Sequence, residues 1–339
     1  MVTMGSLGAV RCDDGGDMSE INGWVAVDGK VQRVSRPVNP PGEGEVCIRI
    51  HASGVNRADL MQLKGHYPPP PGYSDFMGLE CAGVVEAVGA GVTQWEAGDE
   101  VIALLAAGGY NDRVVCDARQ LLPLPAGWSM EQGAAFVEAF ATAWLNLYQI
   151  GALEKGERVL LYAGASGVGC AAIQLCKLMG NPVTAVVGNP AKAEFCRKLG
   201  ADEAVLRDAD CWQNLARLAP FDLLLDSVAG DWLPKSLPLM AVDGRLVLIG
   251  LMGGSLCELD AATVLMKRLR IQGSTLRGRA VEFKAQVLAS MRHALWDALQ
   301  QQQLVPVIDR VFEREELSAA FEYLAGNRNM GKVVVRGER

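Results

Sequence analysis

The chain has 339 residues, of which half are apolar and 21% are charged, and its formal net charge is −7. The length predicts about two domains, and the apolar content excludes a wholly disordered protein. No apolar run approaches the ~20 residues of a membrane-spanning helix, and the negative charge disfavours nucleic acid, so neither a membrane nor a nucleic acid is an expected partner.

The beginning of the chain shows no secretory signal, because Arg11 follows the apolar stretch and acidic residues come after it. We interpret residues 1–22 as an N-terminal extension. The nine cysteines are scattered, with no C-x-x-C pair of the kind found in zinc knuckles or redox motifs. Their odd number and spacing predict reduced, buried thiols in a cytoplasmic protein.

Residues 23–128 contain short β patterns separated by turns rich in Pro and Gly, which predicts a small barrel or sandwich. The expected strands are 24–27, 45–51, 83–88, 100–105 and 113–116.

Residues 129–300 alternate between apolar strands and amphipathic helices, which predicts an α/β domain with right-handed βαβ units around a doubly wound parallel sheet. The tail has strands 307–312 and 332–336 and a helix 315–324. Because the parallel sheet already has six strands, we expect residues 301–339 to rejoin the first domain. The expected strands of the α/β domain are 159–162, 183–187, 203–206, 222–226, 245–250 and 271–275, and its helices are 167–179, 191–199, 232–240 and 280–300.

The strongest motif is a glycine-rich turn between the strand 159–162 and the helix 167–179. Gly164 permits a tight turn, Gly167 lets backbone approach a pyrophosphate, and Gly169 lets the helix pack close to the sheet. Free amides at the helix N-terminus favour a phosphate. The alternative is a structural turn in another α/β protein. The residues predicted to hold the dinucleotide are Gly164, Ala165, Ser166, Gly167, Val168 and Gly169.

The choice of cofactor follows from the residues after the second strand of this unit, Gly188, Asn189 and Lys192. They include no acid that would accept a hydrogen bond from a ribose 2′-hydroxyl. Lys192, and Arg207 after the third strand, instead favour a 2′-phosphate, so NADPH is the predicted cofactor. The alternative is that both side chains are simply solvated.

No metal site or catalytic nucleophile is apparent in the sequence. Cys47 and His51 lie roughly 13 Å apart on one predicted strand, too far to share a zinc ion, and the other histidines are remote in sequence. A G-x-S-x-G elbow is absent. We therefore predict that the cofactor supplies the chemistry and that no metal takes part.

At this point a set of motifs resembles the zinc-free medium-chain dehydrogenase/reductases, most closely the zeta-crystallin-type NADPH:quinone oxidoreductases. The matches run from about Gly42 to Arg336. They are PGEGEV (41–46), ASGVNRADL (52–60), GHYPPPPG (65–72), GLECAG (78–83), GDEV (98–101), VEA (137–139) with TAW (142–144), AGASGVG (163–169), DSVAG (226–230), GLMGG (250–254) and GKVVV (331–335).

The resemblance implies a GroES-like β-barrel catalytic domain beside the Rossmann domain, with the cofactor between them. It implies that the places of the catalytic zinc ligands hold Asn56, Leu79 and the stretch 137–138, which is not a zinc set. It places Asn56 and Thr142 near the nicotinamide and Tyr67 at the substrate pocket. The further cofactor contacts that it implies are Gly188, Gly250, Leu251, Met252, Leu276, Asn327 and Lys332.

Structural roles stay open for several of these residues. Tyr67 as a cap on an apolar turn, Asn56 as a partner of barrel backbone and Thr142 as an ordinary helix residue are the alternatives. We interpret Glu80 and Glu138 as structural partners of Arg57 or another base. The N-terminal extension and the missing Gly-Gly-Pro-Glu turn depart from the family pattern and leave the choice of substrate open.

The main functional hypothesis is transfer of a hydride from NADPH to a quinone, with net one-electron delivery left open. A reduced quinone oxygen can take its proton from solvent. The alternative is reduction of an alkenal or enone double bond, for which Tyr67 is the best proton donor to carbon. A non-enzymatic alternative is an NADPH-binding sensor or an RNA-binding protein. The resemblance and an edge strand near 271–275 also predict a homodimer.

Overall fold

The computed structural model describes residues 20–337 of the chain. The extension interpreted at 1–22 lies mostly outside these residues, but its last three residues contradict that interpretation, because they begin strand β1, Glu20–Val27. β1 pairs with β2, Lys30–Pro37, through a turn at Asp28 and Gly29, which both have positive φ. Asp-Gly favours such tight hairpin turns and is the sequence signal for β2, which was not predicted.

A mainly antiparallel sheet forms the first lobe, called here the barrel lobe. Its first elements are β3 (Glu45–Val55), α1 (Arg57–Leu63), β4 (Glu80–Val88), β5 (Glu100–Leu104), β6 (Arg113–Asp117) and β7 (Leu121–Pro123). β3 pairs with both β4 and β6, and its two register shifts against β4 allow it to bend. The sheet thereby encloses a core that includes Val46, Ile48 and Val101.

The second lobe, called here the Rossmann lobe, is built on a parallel six-stranded sheet. Its strands follow the order β10-β9-β8-β11-β12-β13, which confirms the predicted doubly wound fold. Helices cover both faces, so strands such as β8 and β9 are buried along their whole length. The elements are α2 (Met130–Ala134), α3 (Val137–Trp144), β8 (Val159–Tyr162), α4 (Gly167–Met179), β9 (Val183–Val187), α5 (Pro190–Leu199), β10 (Glu203–Leu206), α6 (Cys211–Leu218), β11 (Phe221–Asp226), α7 (Trp232–Ser236), β12 (Met240–Leu248), α8 (Ala261–Lys267), β13 (Arg270–Gly273) and α9 (Val281–Gln300).

The largest error of the sequence prediction lies between α7 and β12. The predicted helix 232–240 ends as an α-helix at Ser236, and Leu237–Leu239 form a 3₁₀ turn that contains Pro238. Proline lacks the amide that a continuing helix needs, so the chain leaves the helix and Met240 begins β12. The short helices α6 and α8 were also not predicted.

The tail returns to the barrel lobe, where β14 (Ile308–Glu313) pairs with β15 (Lys332–Arg336), which in turn pairs with β3. Helix α10 (Leu317–Ala325) joins the two strands. Just before β15, the amide of Gly331 donates to the carbonyl of Ala165 at 2.9 Å, in the glycine-rich turn. The tail therefore connects the two lobes at the turn predicted to hold the cofactor.

The described cysteines are buried as expected, with one exception. Seven of the eight are buried, whereas Cys257 is exposed on the loop between β12 and α8. Within the span 20–337, no helix has the length and apolar character that crossing a bilayer requires.

Candidate functional site

The glycine-rich turn lies at the carboxyl end of β8, where the strand order of the parallel sheet reverses. Open α/β sheets bind their ligands at this switch point. Packing excludes a side chain at two of the glycines: a Cβ on Gly164 would lie 2.6 Å from Cβ of Ala185, and one on Gly169 would lie 2.5 Å from the carbonyl oxygens of Ala163 and Gly164. Gly169 thus has the packing role that the sequence predicted, whereas Gly164, predicted to permit a tight turn, is limited here by the packing of Ala185 on β9.

Ser166 caps α4, since its hydroxyl accepts from the amide of Gly169 at 3.0 Å. The other amides of the first helical turn, those of Gly167 and Val168, have no acceptor within the helix. A Cβ on Gly167 would lie 2.5 Å from Cδ of Lys332. The constraint on Gly167 in this structure is therefore the tail lysine, which lies directly against the turn.

Lys332 is the centre of a buried polar network between the lobes. Its ammonium donates to Oε1 of Glu80 at 2.6 Å, to Oδ1 of Asn56 at 2.6 Å and to the carbonyl of Val55 at 3.0 Å. Glu80 is fully buried, and Lys332 is nearly so. The other Glu80 oxygen accepts from the amide of Glu138 at the start of α3, at 2.8 Å. The base that Glu80 pairs with is thus Lys332 and not Arg57.

Asn56 has the structural role that the sequence left open, while its place near the nicotinamide stays a prediction. Its side-chain amide donates to the carbonyl of Gly54 at 3.2 Å and to Glu80 at 2.9 Å. Its backbone amide donates to Asp59, whose pKa burial raises to about 6. The hydroxyl of Tyr110 donates to the same Asp59 carboxylate at 2.6 Å. Asn56 therefore satisfies barrel backbone and also lies in the polar network below the cleft.

Glu138 is the titratable group best suited to acid–base chemistry. Burial raises the pKa of its carboxyl to about 8, and the neighbouring Glu80 raises it further, while Lys332 opposes the shift. The group is therefore a proton donor near neutral pH. Thr142 lies one turn later on α3, half-buried, and its carbonyl accepts from the side chain of Asn146 at 2.7 Å.

The donor set at the expected zinc positions does not fit zinc. Asn56, the buried Leu79 and Glu138 offer an amide, a hydrocarbon and one carboxylate, whereas zinc prefers thiolate and imidazole ligands. No group of three or more His, Cys, Asp or Glu side chains in the described part of the chain is arranged to hold a metal ion.

Tyr67 lies in the cleft, half-buried, against an arginine of the other lobe. The Arg277 guanidinium is 5.4 Å from the centre of the Tyr67 ring. Burial raises the pKa of Tyr67, and Glu138 raises it further, whereas Arg277 lowers it. The charge of Glu138 thus acts on the Tyr67 phenol. Neither Arg277 nor its contact was predicted.

The predicted 2′-phosphate end brings together three residues, one of which was not predicted. The Lys192 ammonium donates to the carbonyl of Asn327 at 2.6 Å, and the Arg57 guanidinium donates to the Asn327 side chain. Burial lowers the pKa of Lys192, and the positive charge of Arg57 also lowers it. Two cations therefore converge beside Asn327. Arg207 is exposed, and its backbone amide donates to the carbonyl of Val187, just before Gly188, at 2.8 Å.

The remaining predicted cofactor residues lie around the cleft. Asn189 caps α5 by accepting from the amide of Lys192 at 2.9 Å, and Gly188 has open space where a side chain would be. Leu251 and Met252 follow β12 after Gly250 and are about half exposed, whereas Leu276 is buried.

A dinucleotide fits these residues. The helix N-terminus at the switch point suits a pyrophosphate, and the open Gly188 beside Lys192 and Arg57 leaves room for an anionic ribose phosphate.

Two family models match the chain. Residues 42–126 match the alcohol dehydrogenase GroES-like domain, and residues 167–292 match the zinc-binding dehydrogenase domain. The first match confirms that the barrel lobe is GroES-like, and the second covers most of the Rossmann lobe.

Curated relatives include both large synthases and proteins of similar size. The chain is 33% identical over 299 residues to the polyketide synthase GfsB of Streptomyces halstedii, covering 87% of this chain but 5% of the synthase. It is 30% identical over 325 residues to the synaptic vesicle membrane protein VAT-1 homolog of Rattus norvegicus, covering 90% of this chain and 80% of the relative. The chain thus spans only a small part of the synthases that it matches.

Solved structures share the whole architecture. The JamJ enoyl reductase in its apo form superposes with a TM-score of 0.83 at 26% identity, over 94% of this chain and 100% of that one. A quinone oxidoreductase of Pseudomonas syringae pv. Tomato DC3000 superposes with a TM-score of 0.82 at 27% identity, over 94% of this chain and 99% of that one.

We predict that Glu138 makes the protein less stable as the pH rises. Its pKa is about 8 in the folded protein and 4.5 in the unfolded chain, so between these values the folded protein keeps a proton that the unfolded chain has released. The free energy of unfolding therefore falls as the pH rises through this window. Urea unfolding at several pH values between about 5 and about 8 should show a smaller fall in Glu138→Gln.

Glu322→Gln, at an exposed site on α10, is the matched control and should keep the pH dependence of the wild type. Parallel pH profiles for wild type and Glu138→Gln would contradict the raised pKa.

Proposed function

The chain belongs to the medium-chain dehydrogenase/reductase superfamily, and from this premise we propose that it is an NADPH-dependent oxidoreductase that reduces quinones without a metal ion. The observation that carries the proposal is the set Asn56, Leu79 and Glu138 at the places of the zinc ligands, which does not suit a Lewis acid. A quinone is already electrophilic through its conjugated carbonyl groups and needs no such activation. Bound NADPH would supply the hydride.

The residues of the chain would orient the two reactants. The glycine-rich turn and the N-terminus of α4 would hold the pyrophosphate, and Lys192 with Arg57 would hold the 2′-phosphate. The Lys332–Glu80 pair would fix the turn and Asn56 beneath the nicotinamide. Tyr67 would border the acceptor and exclude water from it.

A second candidate function is reduction of an enone or alkenal double bond. It is supported by the two proton-bearing groups near the pocket, Tyr67 and Glu138, because this reaction must protonate a carbon atom. The similarity to an enoyl reductase and to a polyketide synthase also supports it.

Replacing Tyr67 separates the two functions. We expect wild type to oxidise NADPH with 1,2- or 1,4-quinones, and Tyr67→Phe to retain most of that rate because solvent can protonate a quinone oxygen. If the natural substrate is an enone, Tyr67→Phe should lower its turnover by about a hundredfold, because the carbon loses its positioned donor. A spectrophotometric screen of quinones and enones with both nicotinamide cofactors measures this, and no turnover of either class would contradict both functions.

Lys192 should determine the preference for NADPH. Removing a charged hydrogen-bond donor to a phosphate costs about 1.5–3 kcal/mol, so we expect Lys192→Ala to lower kcat/KM for NADPH by about ten- to a hundredfold and to change kcat/KM for NADH little. Lys198→Ala is the matched control, because Lys198 lies on the same helix and pairs with Glu194 at 2.6 Å on the surface. Robust turnover with NADH and none with NADPH would contradict the proposed cofactor.

We also propose that the chain forms a homodimer through the edge of the parallel sheet. β13 is one of the two edge strands of the sheet, and the segments before it expose Leu256 at 87%, Leu265 at 74% and Met266 at 74%. Exposed apolar side chains next to an open strand edge are typical of subunit interfaces.

Light scattering should give twice the mass of the chain for wild type and the single mass for Leu265→Glu. Val88→Glu introduces the same charge at another exposed apolar position, on β4, and should leave the mass unchanged. A monomeric wild type would contradict the dimer.

A further inference from the structure

Arg277 is a buried arginine of the Rossmann lobe whose side chain lies in the barrel lobe. It follows β13 and is 4% exposed. Its guanidinium donates to the carbonyl of Ala106 at 2.7 Å, to Oε1 of Gln62 at 2.8 Å and to the carbonyl of Tyr67 at 3.1 Å. Each of the three acceptors belongs to the barrel lobe. Burying an arginine is costly unless its donors are satisfied, and three hydrogen bonds compensate that cost.

Arg277 contacts Tyr67 in two ways. It binds the backbone carbonyl of Tyr67, and its guanidinium also lies 5.4 Å from the centre of the aromatic ring. Such an arrangement restrains both the chain and the side chain, and a cation over a ring interacts favourably with it. Arg277 directly follows Leu276, a predicted cofactor contact. A single turn of the Rossmann lobe therefore faces the cofactor site and holds the tyrosine.

A second cation of the Rossmann lobe holds the other end of the same segment. The Lys284 ammonium, on α9, lies 5.5 Å from the centre of the Tyr73 ring. Lys284 is fully buried and has no hydrogen-bond partner within residues 20–337. Four prolines between Tyr67 and Tyr73 stiffen the segment. A stiff segment held at both ends keeps Tyr67 in one place relative to the Rossmann lobe.

We propose that Arg277 is a positioning residue that holds Tyr67 at the acceptor site from the Rossmann lobe. The inference rests on the proposed function, in which Tyr67 borders the acceptor. In the proposed function, Arg277 itself touches neither reactant. A residue that served only to stabilise the fold would not alter the pKa of the Tyr67 phenol.

Arg277→Met tests the proposal, with Arg279→Met as the matched control. Arg279 lies two residues later and is exposed, and its guanidinium is 4.7 Å from the Phe283 ring, within its own lobe. We expect Arg277→Met to lower kcat/KM for the acceptor by about ten- to a hundredfold while the Kd for NADPH, measured by fluorescence, changes little. Arg279→Met should match wild type in both.

A double-mutant cycle shows whether Arg277 acts through Tyr67. In the Tyr67→Ala background, which lacks the ring that Arg277 holds, Arg277→Met should cause a much smaller further loss of kcat/KM for the acceptor than it does in wild type. An equal loss in both backgrounds would overturn the proposal and leave Arg277 a structural residue.

Ultraviolet titration of Tyr67 gives a readout that does not depend on activity. The difference spectrum between wild type and Tyr67→Phe reports the Tyr67 phenol, and its pKa should rise in Arg277→Met, since the arginine lowers it. An unchanged pKa would overturn the proposal, even if wild type reduced neither quinones nor enones.

Arg277→Lys keeps the proposal testable if Arg277→Met does not fold. Lysine keeps the charge but cannot reproduce the planar fork that reaches three acceptors. We expect the Tyr67 pKa to stay near that of wild type and kcat/KM for the acceptor to fall. Wild-type kcat/KM in Arg277→Lys would show that the three hydrogen bonds do not position Tyr67.

Discussion

The ion pair between Lys332 and Glu80 is the interaction on which the site depends. It lies out of contact with solvent, and breaking a buried pair by removing one partner typically costs about 3–5 kcal/mol, because the remaining charge stays buried. Each partner is tied to a different element: Lys332 lies at the start of β15 against Gly167, while Glu80 accepts from Asn56 and from the amide that begins α3. The pair therefore fixes the glycine-rich turn, the floor of the barrel and the first turn of α3 relative to one another.

Glu138 shows what this arrangement does to acid–base chemistry. Its amide is bound by the Glu80 carboxylate, so its own carboxyl lies near a second buried acid and loses its proton reluctantly. Because its pKa is raised to about 8, this carboxyl keeps its proton at neutral pH, in the stretch where the family resemblance places a ligand of the zinc-dependent relatives.

The sequence predicted the parts of the site that depend on local structure. Strand β8, the turn and helix α4 have the predicted bounds, because their glycines and apolar period are contiguous in the chain. Arg277 and Lys284 were missed because a lone basic residue on a helix or loop is interpreted as solvated until the fold buries it. Arg57 was expected to pair with Glu80 or Glu138, but it donates to Asn327. Arg277 meets Tyr67 across 210 residues, and no spacing rule reports such a contact. Local patterns also failed where Pro238 ended a helix that the apolar residues seemed to continue.

The distribution of charge gives a reason for these hidden cations. The chain carries a formal net charge of −7, which on average repels an anionic dinucleotide. Lys192 and Arg57 meet at one end of the cleft, and Lys332 lies under the glycine-rich turn. Arg277 and Lys284 lie beside the segment 67–73. Because low-dielectric walls strengthen the field of charges in a cleft, Lys192 and Arg57 favour an anion at that place although the net charge of the chain is negative. Lys332 is instead paired with Glu80, and Arg277 binds the backbone and the ring of Tyr67. The buried cations therefore divide into those placed to attract an anionic cofactor and those that join the two lobes.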